Sequence, residues 1–94
     1  MTPAVKTLRA VISGRVQGVW FRGWTERQAR ARGLDGWVRN CSDGTVEAVF
    51  SGAADQVDEM IEDCWKGPPA AKVASIQLYR EEPSVESGFI HLRR

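Results

Sequence analysis

Arg22 stands near the end of the stretch Gly14 to Gly23, which reads GRVQGVWFRG. Three glycines, a side-chain amide, two aromatic rings and two arginines fall within it. Consecutive backbone N–H groups in a glycine-bearing loop can converge on an anion. Gly14 and Gly18 let such a loop bend without a Cβ penalty. A helix that starts directly after the loop would add its own unpaired N–H groups and its positive dipole end. Arg22 would then lie in the first turn, where its guanidinium can fold over the cup and grip two phosphate oxygens in a fork. Phe21 is expected to anchor the turn in the core. Each part also has a plainer use. The glycines could simply connect a strand to a helix. Arg22 could be a solvated helix arginine. Asn40, further along, could be a turn former beside Cys41–Gly44. Their meeting at one place is what would make a site.

The surrounding elements decide whether they meet. Lys6 to Ser13 alternate, with Leu8, Ala10 and Ile12 on one face, and read as a strand. Phe21 to Arg32 read as a helix whose inner face carries Phe21, Trp24, Thr25, Gln28 and Ala29. Glu26 and Arg30 form an i,i+4 pair, and Gly33 is placed to cap the end. Leu34 to Asn40 form a second strand, CSDG a hairpin turn with Gly44 at positive φ, and Thr45 to Phe50 a third strand. Val57, Met60, Ile61, Cys64 and Trp65 recur at helical spacing, and Gly67, Pro68 and Pro69 stop that helix. Lys72 to Arg80 form a fourth strand, with Ala74, Ile76 and Leu78 expected to face inward. EEPSVES, Glu81 to Ser87, is a polar loop, and GFIHLR a short closing strand. The order β-α-β-β-α-β is the split βαβ pattern. The predicted fold is α+β: a ferredoxin-like sandwich with one mainly antiparallel sheet covered on one face by two helices, a single domain over residues 1–94. Strands one and two must run parallel, so the glycine loop, the start of the first helix and Asn40 share one end of the sheet, the end that ligands of α/β units favour.

Bulk properties narrow the function. The 94 residues carry 13 Lys and Arg against 12 Asp and Glu, a net charge of +1. A general nucleic-acid binder carries a larger basic excess, whereas a small anion needs only a local positive site. Strand three, TVEAVFSG, lacks the aromatic and basic motif of an RNA-recognition domain. No Gly-Lys-Ser/Thr ends the loop, so it is not a nucleotide P-loop. Val16 occupies the position six before Arg22 where a cysteine phosphatase would hold its nucleophile. Cys41 and Cys64 are expected to be ordinary reduced thiols, and no Cys/His cluster points to a metal. His91, the sole histidine, is expected to be an ordinary, partly exposed strand residue. The four tryptophans, Trp20, Trp24, Trp37 and Trp65, are expected to be packing or pocket walls. No apolar run has the form of a signal peptide or membrane span, so a cytoplasmic protein without membrane or nucleic-acid partners is expected.

GRVQGVWFR closely resembles the signature of the acylphosphatase family, and GLDGWVRNCSDGTVEAVFSG resembles its second signature. GPPAAKV and the terminal GFIHLR are also similar to that family, so the resemblance spans nearly the whole chain. It implies a metal-independent enzyme without cofactors, expected to be a monomer, that hydrolyses acyl phosphates to a carboxylate and inorganic phosphate. By the same match Arg22 is the phosphate-binding arginine, Asn40 positions the attacking water, and Arg15, Val16, Gln17, Gly18 and Val19 supply the backbone cradle.

That chemistry suits these residues. A carboxylate whose conjugate acid has a pKa of about 4 leaves unprotonated, whereas an alkoxide needs a general acid, and none is evident at this end of the predicted sheet. Two other classes stay open at this point. A nucleic-acid module on the same fold would give a salt-dependent gel shift, and a carrier domain would bind acyl phosphate without turnover.

Overall fold

The computed structural model describes residues 4–82 and 86–92. Alternation along the first segment produces β1, Val5–Arg15, whose Leu8, Ala10 and Ile12 are buried on one face. The helix α1, Phe21–Ala31, buries Phe21, Thr25 and Ala29, one residue per turn along a single stripe. It ends where Gly33, at φ 69°, donates its N–H to the Arg30 carbonyl and Leu34 donates to that of Ala29. That pair of bonds is the Schellman cap expected of a glycine at this position. The strand β2, Asp35–Asn40, follows and turns through Cys41–Gly44 into β3, Val46–Ala53. The turn closes by bonds from Cys41 N–H to the Thr45 carbonyl and from Gly44 N–H to that of Cys41. β3 runs directly into α2, Ala54–Lys66, which buries Val57, Met60, Ile61 and Cys64. Then come β4, Lys72–Arg80, and the short β5, Phe89–His91.

The sheet order is β4-β1-β3-β2-β5. β3 lies antiparallel to both β1 and β2, so β1 and β2 run parallel as their crossover through α1 requires. β5 adds a parallel edge beside β2, with Val38 opposite His91. Both helices pack on the face that carries Ala10, Ile12, Val38, Ala48 and Phe50, all of them buried. Phe89 stacks on Phe50 with ring centroids 5.6 Å apart, which pins β5 to that core. Arg30 Nε and Nη2 both donate to the Phe89 carbonyl and tie β5 to α1. Arg32 joins the helices through Gln56, Glu59 and Asp63 of α2. This is the ferredoxin-like α+β sandwich, one mainly antiparallel sheet under two helices.

Three expectations need correction. β1 and β4 pair Ile12 with Ile76 and Ser13 with Ser75, but Gly14 with Val73. Ala74 is therefore the extra residue of a β-bulge, and Val73 rather than Ala74 packs on the core. Gly14 makes the bulge possible: it sits at φ 121°, and a Cβ there would collide with the Lys72 carbonyl and lie 2.6 Å from the Ala74 nitrogen. Leu78 is on the inward face of an edge strand that the helices do not fully reach, and stays 47% exposed. Trp65 likewise lies at the margin of the α2 stripe, exposed. Residues 83–85 of the expected polar loop and Arg93 of the closing strand fall outside the described residues.

Candidate active site

The loop from Val16 to Trp20 leaves the C-terminal end of β1, and Asn40 closes the C-terminal end of β2. Because these strands are parallel, both reach the same edge of the sandwich. Val16, Gly18, Trp20, Phe21, Arg22, Gly23, Asn40 and His91 line one hollow of about 110 Å³ there. Of the residues singled out in the sequence, the structure brings Val16, Gly18, Arg22 and Asn40 together at this hollow. Arg15 ends β1 opposite Lys72 with its side chain exposed, and Val19 packs against the core. Val16 is buried, so the loop's backbone is held close to the sheet by its own side chain. Phe21 is buried too, with its ring 5.4 Å from that of Trp24, and anchors the first turn of α1 as expected.

The start of α1 is open to an anion. Its N-cap residue, Trp20, makes no side-chain capping bond, and no acidic residue lies in the first turn. The first N–H groups of a helix lack intrahelical acceptors, and their aligned dipoles present a partial positive charge. Arg22 adds a full one, and no carboxylate is among the residues that line the hollow. Its described hydrogen bond is a long one, 3.4 Å from Nη1 to the Leu92 carbonyl. Asn40 lines the same hollow, and its Oδ1 is buried and accepts no hydrogen bond among the described residues. A desolvated acceptor without a donor costs about 1–3 kcal/mol, a cost that a bound water or ligand N–H would relieve. A larger hollow of about 400 Å³ lies elsewhere, lined by Trp37, Glu81, Glu82 and Glu86 among others, and its carboxylates repel an anion.

Gln17 has a use that its sequence position does not reveal. Its Nε2 donates to the carbonyl oxygens of Cys41 and Thr45, 2.8 Å from each. One side chain thereby locks the glycine loop to the hairpin that begins directly after Asn40. Asp43 stiffens the same hairpin by accepting from the Thr45 hydroxyl and N–H, and these bonds lower its carboxyl below the usual range. Arg39, just before Asn40, has its guanidinium pKa raised by hydrogen bonding to Glu47, which lies opposite on β3. Gln17→Ala is expected to destabilise the fold by about 1 kcal/mol, since both carbonyls keep a backbone partner. That is a fall in melting temperature of about 4–8 °C for a chain of this size. The same variant should bind phosphate more weakly, because loop and Asn40 are no longer held in register. Thermal melts and phosphate inhibition measured on one preparation check both effects.

Two further residues line the hollow, one expected to be an ordinary strand histidine and one expected to be a packing or pocket wall. His91 lies opposite Val38, on the same side of β5 as Phe89, and so lines the hollow. The period-two alternation of Phe89 and His91 carried that signal, but the parallel pairing of β5 with β2 was needed to read it. A side chain capable of proton transfer is therefore present at an end of the sheet where the sequence had suggested none. Trp20 is the other. It is the one non-glycine residue with positive φ among those described, at 67°. A bulky residue held there carries about 1–3 kcal/mol of strain. Cys41 and Cys64 are both free, as expected, and burial pushes the Cys64 thiol up in pKa.

The fold and this edge define the class: a ferredoxin-like α+β sandwich with a hollow lined by Arg22 and Asn40 between the start of α1 and the end of β2. A model of the acylphosphatase family matches residues 8–90. An acylphosphatase of Rhizorhabdus wittichii is 54% identical over 81 residues, which are 86% of this chain and 82% of that protein. Another, from Pelotomaculum thermopropionicum, is 50% identical over 80 residues, 84% of this chain and 87% of its own. The solved structure of an acylphosphatase from Coxiella burnetii superposes with a TM-score of 0.90 at 34% identity, covering 94% of this chain and 93% of that one. The chain belongs to the acylphosphatase family, and it is a hydrolase of that kind.

Proposed function

We propose that this enzyme hydrolyses the carboxyl–phosphate bond of acyl phosphates without a metal ion, by attack of a water positioned by Asn40 on a phosphoryl group held by Arg22 and by backbone amides of Arg15, Val16, Gln17, Gly18 and Val19. One observation carries the reading. Arg22, a fixed cation, and Asn40, whose amide oxygen is buried without a partner among the described residues, line one hollow with no carboxylate among its described lining residues. Phosphoryl transfer is mostly positioning and charge stabilisation, and these groups supply both. Arg22 and the loop amides neutralise the phosphoryl oxygens. The Asn40 carbonyl accepts a hydrogen bond from the water, whose oxygen attacks phosphorus in line with the leaving oxygen. The new P–O bond forms as the bond to the acyl oxygen breaks, and the carboxylate departs with the electron pair. Asparagine is no base at neutral pH, so the water's proton passes to an oxygen of the substrate's own phosphate.

His91 offers a specific rival, the hydrolysis of phosphate monoesters with imidazole as the acid. The two readings separate cleanly. Under the proposed one, His91→Ala retains turnover of benzoyl phosphate within a few-fold, because the leaving group needs no proton. Release of benzoate and phosphate should persist in excess chelator, and a simple alkyl phosphate should be hydrolysed orders of magnitude more slowly. Activity abolished by chelator, a preference for the monoester, or collapse of benzoyl phosphate hydrolysis in His91→Ala would overturn this mechanism. The free thiols Cys41 and Cys64 are consistent with the proposed cytoplasmic setting, in which the enzyme acts as a monomer on a small-molecule substrate.

A further inference from the structure

Trp20 keeps its strained backbone conformation although its side chain contributes little to the core: 57% of the residue remains exposed. Strain of this kind persists where the surrounding structure holds it, and it clusters at functional sites. The holding contacts are visible. The indole lies against the first turn of α1 over Gly23, where a Cβ would lie 2.6 Å from the ring carbon Cε2 and collide with Nε1. One turn further along the helix, the Arg27 guanidinium stands 5.3 Å from the ring centroid. Trp20 is thus a fixed, half-open aromatic wall, and it lines the same hollow as Arg22 and Asn40.

The geometry points to Trp20 as a specificity-determining residue, and we propose that its indole is the surface on which the acyl group of the substrate lies, selecting planar apolar acyl groups over small aliphatic ones. The inference rests on the reading of this hollow as an acyl phosphate site. With the phosphoryl group held by Arg22 and the loop, the acyl carbon is one oxygen away from phosphorus, so its substituent must run along the hollow's rim. Of the other lining residues Val16 and Phe21 are buried in the core and the rest are two glycines, Arg22, Asn40 and His91, so Trp20 offers the one broadly exposed apolar ring among them. An aromatic acyl group can stack on the indole, whereas an acetyl group is too small to cover it.

The test is the ratio of kcat/KM for benzoyl phosphate to that for acetyl phosphate, with inhibition by inorganic phosphate measured alongside. Trp20→Ala is expected to lower the ratio by roughly 3–10-fold, the range an aromatic pair contributes, and Trp20→Phe to restore most of it. Gly23→Ala, which evicts the indole without removing it, should lower the ratio in the same direction. An unchanged ratio in both alanine variants overturns the inference. So does an equal loss with both substrates accompanied by weaker phosphate inhibition, which would assign the indole to the shape of the cradle. A wild-type enzyme that hydrolyses neither acyl phosphate would instead remove the reading of the site itself.

Discussion

Arg22→Ala is expected to lower kcat/KM for an acyl phosphate by about 10³, with KM raised and kcat lowered together. An arginine that stabilises transferring phosphoryl groups is worth about 10³–10⁵ in rate, and a single well-aimed donor about 10²–10³. Arg22 is the one guanidinium or ammonium among the described residues that line the hollow. The proposed contact exists with the bound substrate and strengthens as charge redistributes in the transition state, which is why both constants move. Arg22→Lys should recover only part of the loss, because an ammonium keeps the charge but not the planar fork. The fold should be nearly indifferent to either change. The described bond of Arg22 is the long one to the Leu92 carbonyl, so the stability change should stay within about 0.5 kcal/mol. Steady-state kinetics paired with thermal melts read both halves of the prediction. Loss of activity through unfolding would contradict it, as would near-normal kinetics.

Asn40→Ala is expected to act differently. Its kcat should fall by about 10²–10³, while inhibition by inorganic phosphate stays close to that of the wild type, because the proposed phosphate cradle is Arg22 and the loop amides. Stability should hold or rise. The Asn40 Oδ1 is buried without a donor among the described residues, and deleting such an acceptor relieves a cost of about 1–3 kcal/mol. A gain in stability accompanying a loss of activity is the pattern of a polar group retained for function. Asn40→Asp should be worse than alanine, since a carboxylate there would face the phosphoryl group and raise KM as well. Wild-type turnover in Asn40→Ala would remove its assigned role.

Much of this was legible in the sequence because hydrophobic periodicity reports directly on burial. The stripe Phe21, Thr25, Ala29 and the alternation Leu8, Ala10, Ile12 each gave the buried face of their element. Element order then required parallel β1 and β2, and that alone brings Arg22 and Asn40 to one edge. What escaped depends on contacts between distant segments. The bulge that swaps Val73 for Ala74 arises from Gly14 meeting β4, about sixty residues later, and a regular alternation cannot register it. Gln17 reaches carbonyls 24 and 28 residues away, through a side chain that reads as any polar loop residue. His91 enters the hollow only because β5 pairs in parallel with β2, and the indole of Trp20 has its seat only because Gly23 lacks a Cβ.

Hydrolysis of benzoyl phosphate in ¹⁸O-labelled water tests the central claim most directly. A water aimed at phosphorus, with the phosphoryl group in the cradle between α1 and β2, predicts one labelled oxygen in the released phosphate and none in the benzoate. Label appearing in the benzoate would mean attack at the acyl carbon, and would contradict the assigned orientation of substrate, Arg22 and Asn40.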